Sequence, residues 1–230
     1  MGADDTTEVK TTRERLLTAA CALFAEKGYR DTTVAEICGR AEANIAAVNY
    51  HFHSKDELYV TAWRHSFDAS LKTHPPDGGV PAEAPAEQRF RGRIRALLGR
   101  MLAPELHEFR ILGHEMANPT GLLAEAMHDA ILPLQKQMFD LVRELLGEGV
   151  PSLSVRMGMM CVVGQCLHLV HREWHRRVLQ FEDDPSPLLK PGEATIEDLA
   201  DYIVRFSLAG LRGIVAEARA GEGKQQGAAP

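Results

Sequence analysis

Residues 32–58 hold the densest set of side chains suited to chemistry with another molecule. Ile45, Ala46 and Ala47 are followed by Asn49, Tyr50 and His51, and Lys55 lies four residues further on. An alanine pair lets a helix sink into a DNA major groove, where its methyls and Ile45 can touch thymine methyls and Asn49 can bond a base edge. Tyr50, His51 and Lys55 suit phosphate oxygens, which fix register without reading sequence. Thr33 and Asn44 stand where helix starts need caps, and the N–H groups at the start near Thr33 can hold a phosphate. A second set, Cys161, His168, His171 and His175, falls on one face of a later helix. Imidazoles three or four residues apart can share a zinc or copper ion. The outer two histidines lie about 10 Å apart by helix rise, so one helix gives no compact three-histidine site. A pocket wall or a contact face is the competing reading.

The elements that must position these groups are helical. Thr12 is expected to cap a helix to about Lys27 on which Leu16, Leu17, Ala20, Leu23 and Phe24 recur at helical spacing; Gly28 marks a left-handed stop, and Tyr29 can pack back on the last turn. Thr33 with Glu36 reads as a capping box, over a helix Val34–Arg40 that buries Val34, Ile37 and Cys38. The linker Ala41-Glu42-Ala43 is short, Asn44 caps a helix Ile45–His51 held by Val48 and Phe52, and Ser54 caps the next, to about Lys72. That order is a helix-turn-helix. Four prolines and a glycine pair in 74–85 break the pattern. Helices are then predicted over 86–102, 104–117, 122–146 (kinked at Pro133), 152–177 and 195–218, with Thr195 and Asp198 forming another cap. On helix 152–177, Met160, Val163, Leu167, Val170 and Trp174 form a packing seam. The expected fold is all-α: a helix-turn-helix domain over 11–58, a second helical domain over 59–220, and disordered tails at 1–10 and 221–230.

The 230 residues carry a formal net charge of −6, which argues against a non-specific nucleic-acid binder. Between Lys10 and Lys55, however, seven basic side chains face five acidic ones. No apolar run is long enough to cross a membrane and the acidic N-terminus is no signal peptide, so a cytoplasmic protein is expected. Cys21, Cys38, Cys161 and Cys166 lack paired spacing and are expected to be reduced. There is no nucleophile elbow, no glycine-rich phosphate loop and no paired His-Glu zinc motif. Neither an enzyme nor a cofactor is expected.

Three runs, Phe24-Ala-Glu-Lys-Gly-Tyr, Thr32-Thr-Val-Ala-Glu-Ile and Ala46-Ala-Val-Asn-Tyr-His-Phe-His-Ser-Lys-Asp-Glu-Leu, closely resemble the N-terminal domain of the TetR family of bacterial transcriptional regulators. The resemblance implies a homodimeric repressor that binds a double-stranded operator and releases it when a small-molecule effector binds the second domain. Family DNA contacts carry over onto Thr33, Asn44, Ile45, Ala46, Ala47, Asn49, Tyr50, His51 and Lys55. Glu42 stands where the family has Gly in the turn, His53 where Pro or Gly is common, and Ile45-Ala46 replaces a basic residue and glycine.

His114-Glu-Met-Ala-Asn-Pro-Thr-Gly121 and Ile131-Leu-Pro-Leu look like the C-terminal domain of CecR-type regulators. The resemblance implies an effector pocket among helices 86–177, with Met101, Phe109, His114, Met116, Met127, Met138, Cys161, Gln165 and His168 as candidate walls for a small hydrophobic ligand. It also implies a dimer through the last two helices, with Leu199, Ile203, Phe206, Gly210, Gly213 and Ala216 as the contact stripe. A metal- or redox-responsive regulator using Cys161 and the histidine line is the alternative.

Overall fold

The structure, a computed structural model, describes residues 11–103, 105–179 and 194–226, and side chains for these except 170–179 and 218–226. The described residues form nine helices and no strand: α1 Thr12–Lys27, α2 Val34–Ala41, α3 Ile45–Phe52, α4 Lys55–Thr73, α5 Ala86–Leu102, α6 Glu108–Ala117, α7 Ala124–Leu146, α8 Ser152–Leu179 and α9 Ile196–Gln226. The expected tail 1–10 and the end of the expected C-terminal tail, 227–230, lie outside the described residues, while the α9 backbone continues past Ala218 to Gln226. Contacts group the chain into one unit of Met1–Ala69 with Glu105–Ala126 and another of Ser70–Pro104 with Met127–Pro230.

In the first unit the starts of α1, α2, α3 and α4 are each closed by local side chains. Thr11, one residue earlier than expected, caps α1: its hydroxyl accepts from the Glu14 N–H at 3.2 Å while its own N–H bonds the Glu14 carboxylate at 2.7 Å. Only Thr11 has a glutamate three residues on, as a capping box requires. Leu16, Leu17, Leu23 and Phe24 are buried. Thr33 and Glu36 repeat the box on α2, and the Ser54 hydroxyl accepts from Glu57 at the start of α4. Between α2 and α3 the Ala43 N–H bonds the Cys38 carbonyl and the Glu42 N–H bonds that of Gly39. This is the Schellman closure, with Glu42 at φ 50° and ψ 50° in the left-handed position that favours glycine.

α3 is only eight residues long, with Asn44 accepting from the Ala46 N–H at 2.9 Å. Val48 and Phe52 are its buried anchors, and the Arg13 guanidinium lies 5.2 Å from the Phe52 ring centre. It ends at His53, φ 61° and ψ −42°, where the Ser54 N–H turns back onto the Phe52 carbonyl. That three-residue turn is strained for a residue with a Cβ.

In the second unit α5 packs with α8 and α9, and α8 with α9. Loop 74–80 lies directly on α5: a Cβ on Gly92 would sit 2.5 Å from the Asp77 carbonyl oxygen. Pro133 lies inside α7 without ending it. The packing seam expected on α8 is not the one used. Met160 and Leu167 are exposed, while Val155, Gly158, Val162 and Cys166 are buried; Val170 and Trp174 have side chains outside the described residues. The buried line is the one with small residues. A Cβ on Gly158 would meet Leu211 of α9 at 3.0 Å, so this glycine, rather than Gly210 or Gly213, allows the close approach. α9 buries Ala200, Ile203, Val204, Ser207 and Leu211.

Glu42→Gly removes the Cβ conflict at the left-handed position and is expected to raise stability by up to about 1 kcal/mol, net of glycine's greater freedom when unfolded. Urea unfolding at unchanged m-value checks this; a loss of stability would show that the Glu42 side chain is itself needed.

Candidate nucleic-acid interface

Every residue that the sequence assigned to DNA contact lies in the first unit, on α3 or at the ends of α2 and α4. Ile45 is 55% exposed and Tyr50 79% exposed. Asn44, Ala46 and Asn49 are exposed as well, and Ala47, His51 and Lys55 half-buried. Ile45 and Asn49 lie one turn apart, as do Ala46 and Tyr50, so α3 shows solvent two adjacent columns while Val48 and Phe52 take the opposite side. Ile45 and Tyr50 are the two large hydrophobic side chains that this short helix leaves open.

The surrounding charge is more committed than the residue count implies. Arg40 makes two bonds to the Glu26 carboxylate, at 2.8 and 3.0 Å, and Lys27 pairs with Glu36. Lys55 is held differently. Its ammonium lies 4.2 Å from the centre of the Tyr29 ring, and partial burial lowers its pKa. Tyr29 is fixed in turn by donating its hydroxyl to Asp56, a bond that pushes the phenol up to about 12. The ring thus seats a cation at the start of α4 without neutralising it. The sequence reading gave Tyr29 only a packing role after Gly28; its spacing to Lys55 carried no local signal.

Thr33 closes the capping box expected of it. Its hydroxyl and its N–H both bond the Glu36 carboxylate, at 2.9 and 2.8 Å. The Lys27 ammonium and these bonds hold Glu36 down at about 2, so the α2 start already carries an anion. A phosphate there would meet a like charge, and Thr33 serves the cap. Asn44 also spends its side-chain oxygen on a cap, accepting from the Ala46 N–H.

The candidate effector walls fall in both units, Phe109, His114 and Met116 in the first and the others in the second. Within the first unit His114 faces α1: it bonds the Ala25 and Glu26 carbonyls, and its ring fills the space where a Gly28 Cβ would be, 3.1 Å away. Phe109 is half-buried and Met116 is 74% exposed. A cavity of about 190 Å³ opens between Gly28, Tyr29, Tyr59, His114, Glu115 and Asn118. On its wall the Tyr59 hydroxyl donates to Glu115 at 3.1 Å, and Glu115 also accepts from the N–H groups of Thr120 and Gly121 and the Thr120 hydroxyl. In the second unit Met101 and Met138 are buried, Met127 is half-buried, and Gln165 donates to the Cys161 carbonyl and the Ser207 hydroxyl. Cys161 and His168 are exposed. The side chains of His171 and His175 lie outside the described residues, and no metal-binding group of three or more His, Cys, Asp or Glu occurs among the described ones.

The expected dimer stripe divides. Ile203 is buried against its own chain and Leu199 half-buried, whereas Phe206, Gly210, Gly213 and Ala216 are exposed. The open stripe on α9 starts from Tyr202, 63% exposed, and Phe206, 62% exposed. Leu153, Met157, Met160 and Leu167 are open on α8. The two stripes of α9 differ by one helical position, which periodicity alone does not separate.

A capped three-helix reader followed by an all-helical second unit defines the helix-turn-helix class of transcriptional regulators. Residues 16–62 match the bacterial regulatory proteins of the TetR family, and residues 86–211 match the C-terminal domain of the HTH-type transcriptional dual regulator CecR. The chain is 42% identical to CecR of Shigella flexneri over 167 residues, covering 67% of this chain and 74% of that protein. It is 34% identical to the regulator TcmR of Streptomyces glaucescens over 102 residues, a match spanning 43% of this chain and 42% of TcmR. The solved structure of AibR in complex with isovaleryl coenzyme A and operator DNA has the same fold, with a TM-score of 0.65 at 18% identity over 84% of this chain and 96% of that one. The chain belongs to the TetR family of bacterial transcriptional regulators, with a CecR-type C-terminal domain. Among the described residues no helix is long and apolar enough to cross a membrane.

Glu115→Ala leaves the buried Tyr59 hydroxyl and two N–H groups without their carboxylate and is expected to cost about 3 kcal/mol, against about 1 for Tyr59→Phe. Chemical unfolding compares the two; equal costs would mean that the Thr120 and Gly121 bonds contribute nothing.

Proposed function

We propose that this protein acts in the cytoplasm as a homodimeric transcriptional repressor, released from a palindromic operator by a small hydrophobic effector. The observation that carries the reading is the open face of α3, where Ile45, Ala46, Asn49 and Tyr50 stand clear of the core. Ile45 and Ala46 read thymine methyls and Asn49 a base edge, while Tyr50, His51 and the Tyr29-seated Lys55 hold phosphates. With Arg40 and Lys27 paired to carboxylates, one reading head has few free cations, so two must act together for useful affinity.

The open stripe Tyr202, Phe206, Gly210 and Gly213 of α9, with Met157, Met160 and Leu167 of α8, supports a second copy as its cover. The buried methionines Met101 and Met138 support an adaptable apolar wall for the effector. By linkage, effector and operator weaken each other's binding by the same factor.

Two expected outcomes test this. In a salt series on DNA from the gene's own promoter, Lys55→Ala weakens binding and lowers the slope of log K against log salt by about 1 per reading head. An unchanged slope would remove Lys55 from the phosphate contacts. Phe206→Glu places a charge in the open stripe and yields monomers by light scattering, with operator affinity down at least about 100-fold. A dimer of unchanged affinity would move the interface elsewhere.

A further inference from the structure

α6 presents His107, Arg110 and His114 to the end of α1 within the first unit. His107 is the N-cap residue of α6 but makes no side-chain cap bond, and its Nδ1 is buried without a partner. An imidazolium there would lie at the positive end of the helix, where the dipole disfavours it. His114, two turns on, rests over Gly28 and bonds the last carbonyls of α1. Those bonds favour its charged form, but burial and Arg110 oppose it, and the balance lies below the ordinary value. Burial and Arg110 depress His107 as well.

The neighbouring groups offset a gained charge only in part, Glu26 at His107 and Asp31 at His114. From α1 the facing carboxylate is Glu26, already bonded twice by Arg40 of α2, and Lys27 is a further cation. From the loop after α1 come Tyr29, Arg30 and Asp31, the last a partial offset at His114. α4 contributes Tyr59, whose hydroxyl is spent on Glu115 of α6. Glu108, beside His107, is buried.

We propose that His107, Arg110 and His114 form an acid-sensitive latch: α6 is held on α1 while both imidazoles are neutral and loosens when they gain protons. Both folded-state values lie below the usual 6.5. Between the two states' values the unlatched form binds more protons, so the contact is fully stable above pH 6.5 and weakens as pH falls below it. On the DNA-binding reading above, acid thereby loosens the unit that carries α3, but the test needs no DNA.

Amide hydrogen exchange of the full-length protein, corrected for intrinsic rates, is measured at pH 7.5 and 5.5 on wild type, His107→Gln/His114→Gln and Arg110→Gln. The α1 C-terminal turn and α6 of wild type are expected to open up to about tenfold more at pH 5.5 for each depressed histidine, the pH then lying one unit below the unfolded value, with little change in the double variant and a smaller one in Arg110→Gln. Equal acid sensitivity in all three proteins overturns the latch. Should the double variant fail to fold, histidine ring NMR titration of wild type and Arg110→Gln decides. Midpoints below 6.5 that rise on loss of Arg110 support the latch, and midpoints at or above 6.5 overturn it.

Discussion

An eight-residue helix does not persist alone in water, because the cost of nucleating it exceeds what so few turns return. α3 therefore exists only through what holds it: Val48 and Phe52 in the core, the Asn44 cap at one end and the tight turn at His53 at the other. This constraint sets the rest of the first unit. The buried side of α3 fixes which side stays open, and with it the columns Ile45–Asn49 and Ala46–Tyr50. Two non-glycine residues with positive φ, Glu42 and His53, bracket the helix. The local strain they carry is borne by the packing between them.

The same economy of groups runs through the charges. The capping carboxylates that start α1 and α2 are acids at positive helix ends, and Glu26 and Glu36 also take up Arg40 and Lys27. Exposed pairs of this kind add little stability, but they decide which cations remain for DNA. Lys55 stays open because an aromatic ring, not a carboxylate, supports it. On the proposed reading, the departure Ile45-Ala46, which removes a basic residue from the family pattern, makes α3 more dependent on apolar contacts and on a paired reading head.

The helix-turn-helix was legible because its signals are local: Thr33 with Glu36, Asn44 before an apolar helix, and Ser54 with Glu57 each act within three residues. The α3 face followed from which positions had to be buried. What was not legible depended on distance along the chain. His114 bonds α1 across some 90 residues, and no periodicity on α6 distinguishes a pocket wall from a helix contact. On α8 the seam of larger residues was the natural choice, yet the buried line runs through Gly158 and Cys166, because close approach to α9 rewards small side chains. On α9 a shift of one position moved Ile203 into the core and left Phe206 open.

The central claim is that α3 reads base sequence as one half of a two-fold pair. In vitro selection of random duplexes with the full-length protein tests it most directly. The account predicts an enriched inverted repeat whose half-site centres lie about 34–36 Å apart, or a multiple of one helical turn, with selection lost when Ile45, Asn49 and Tyr50 are replaced by Ala. Enrichment of a lone half-site, of no sequence at all, or of the same sequence by the triple variant would contradict it.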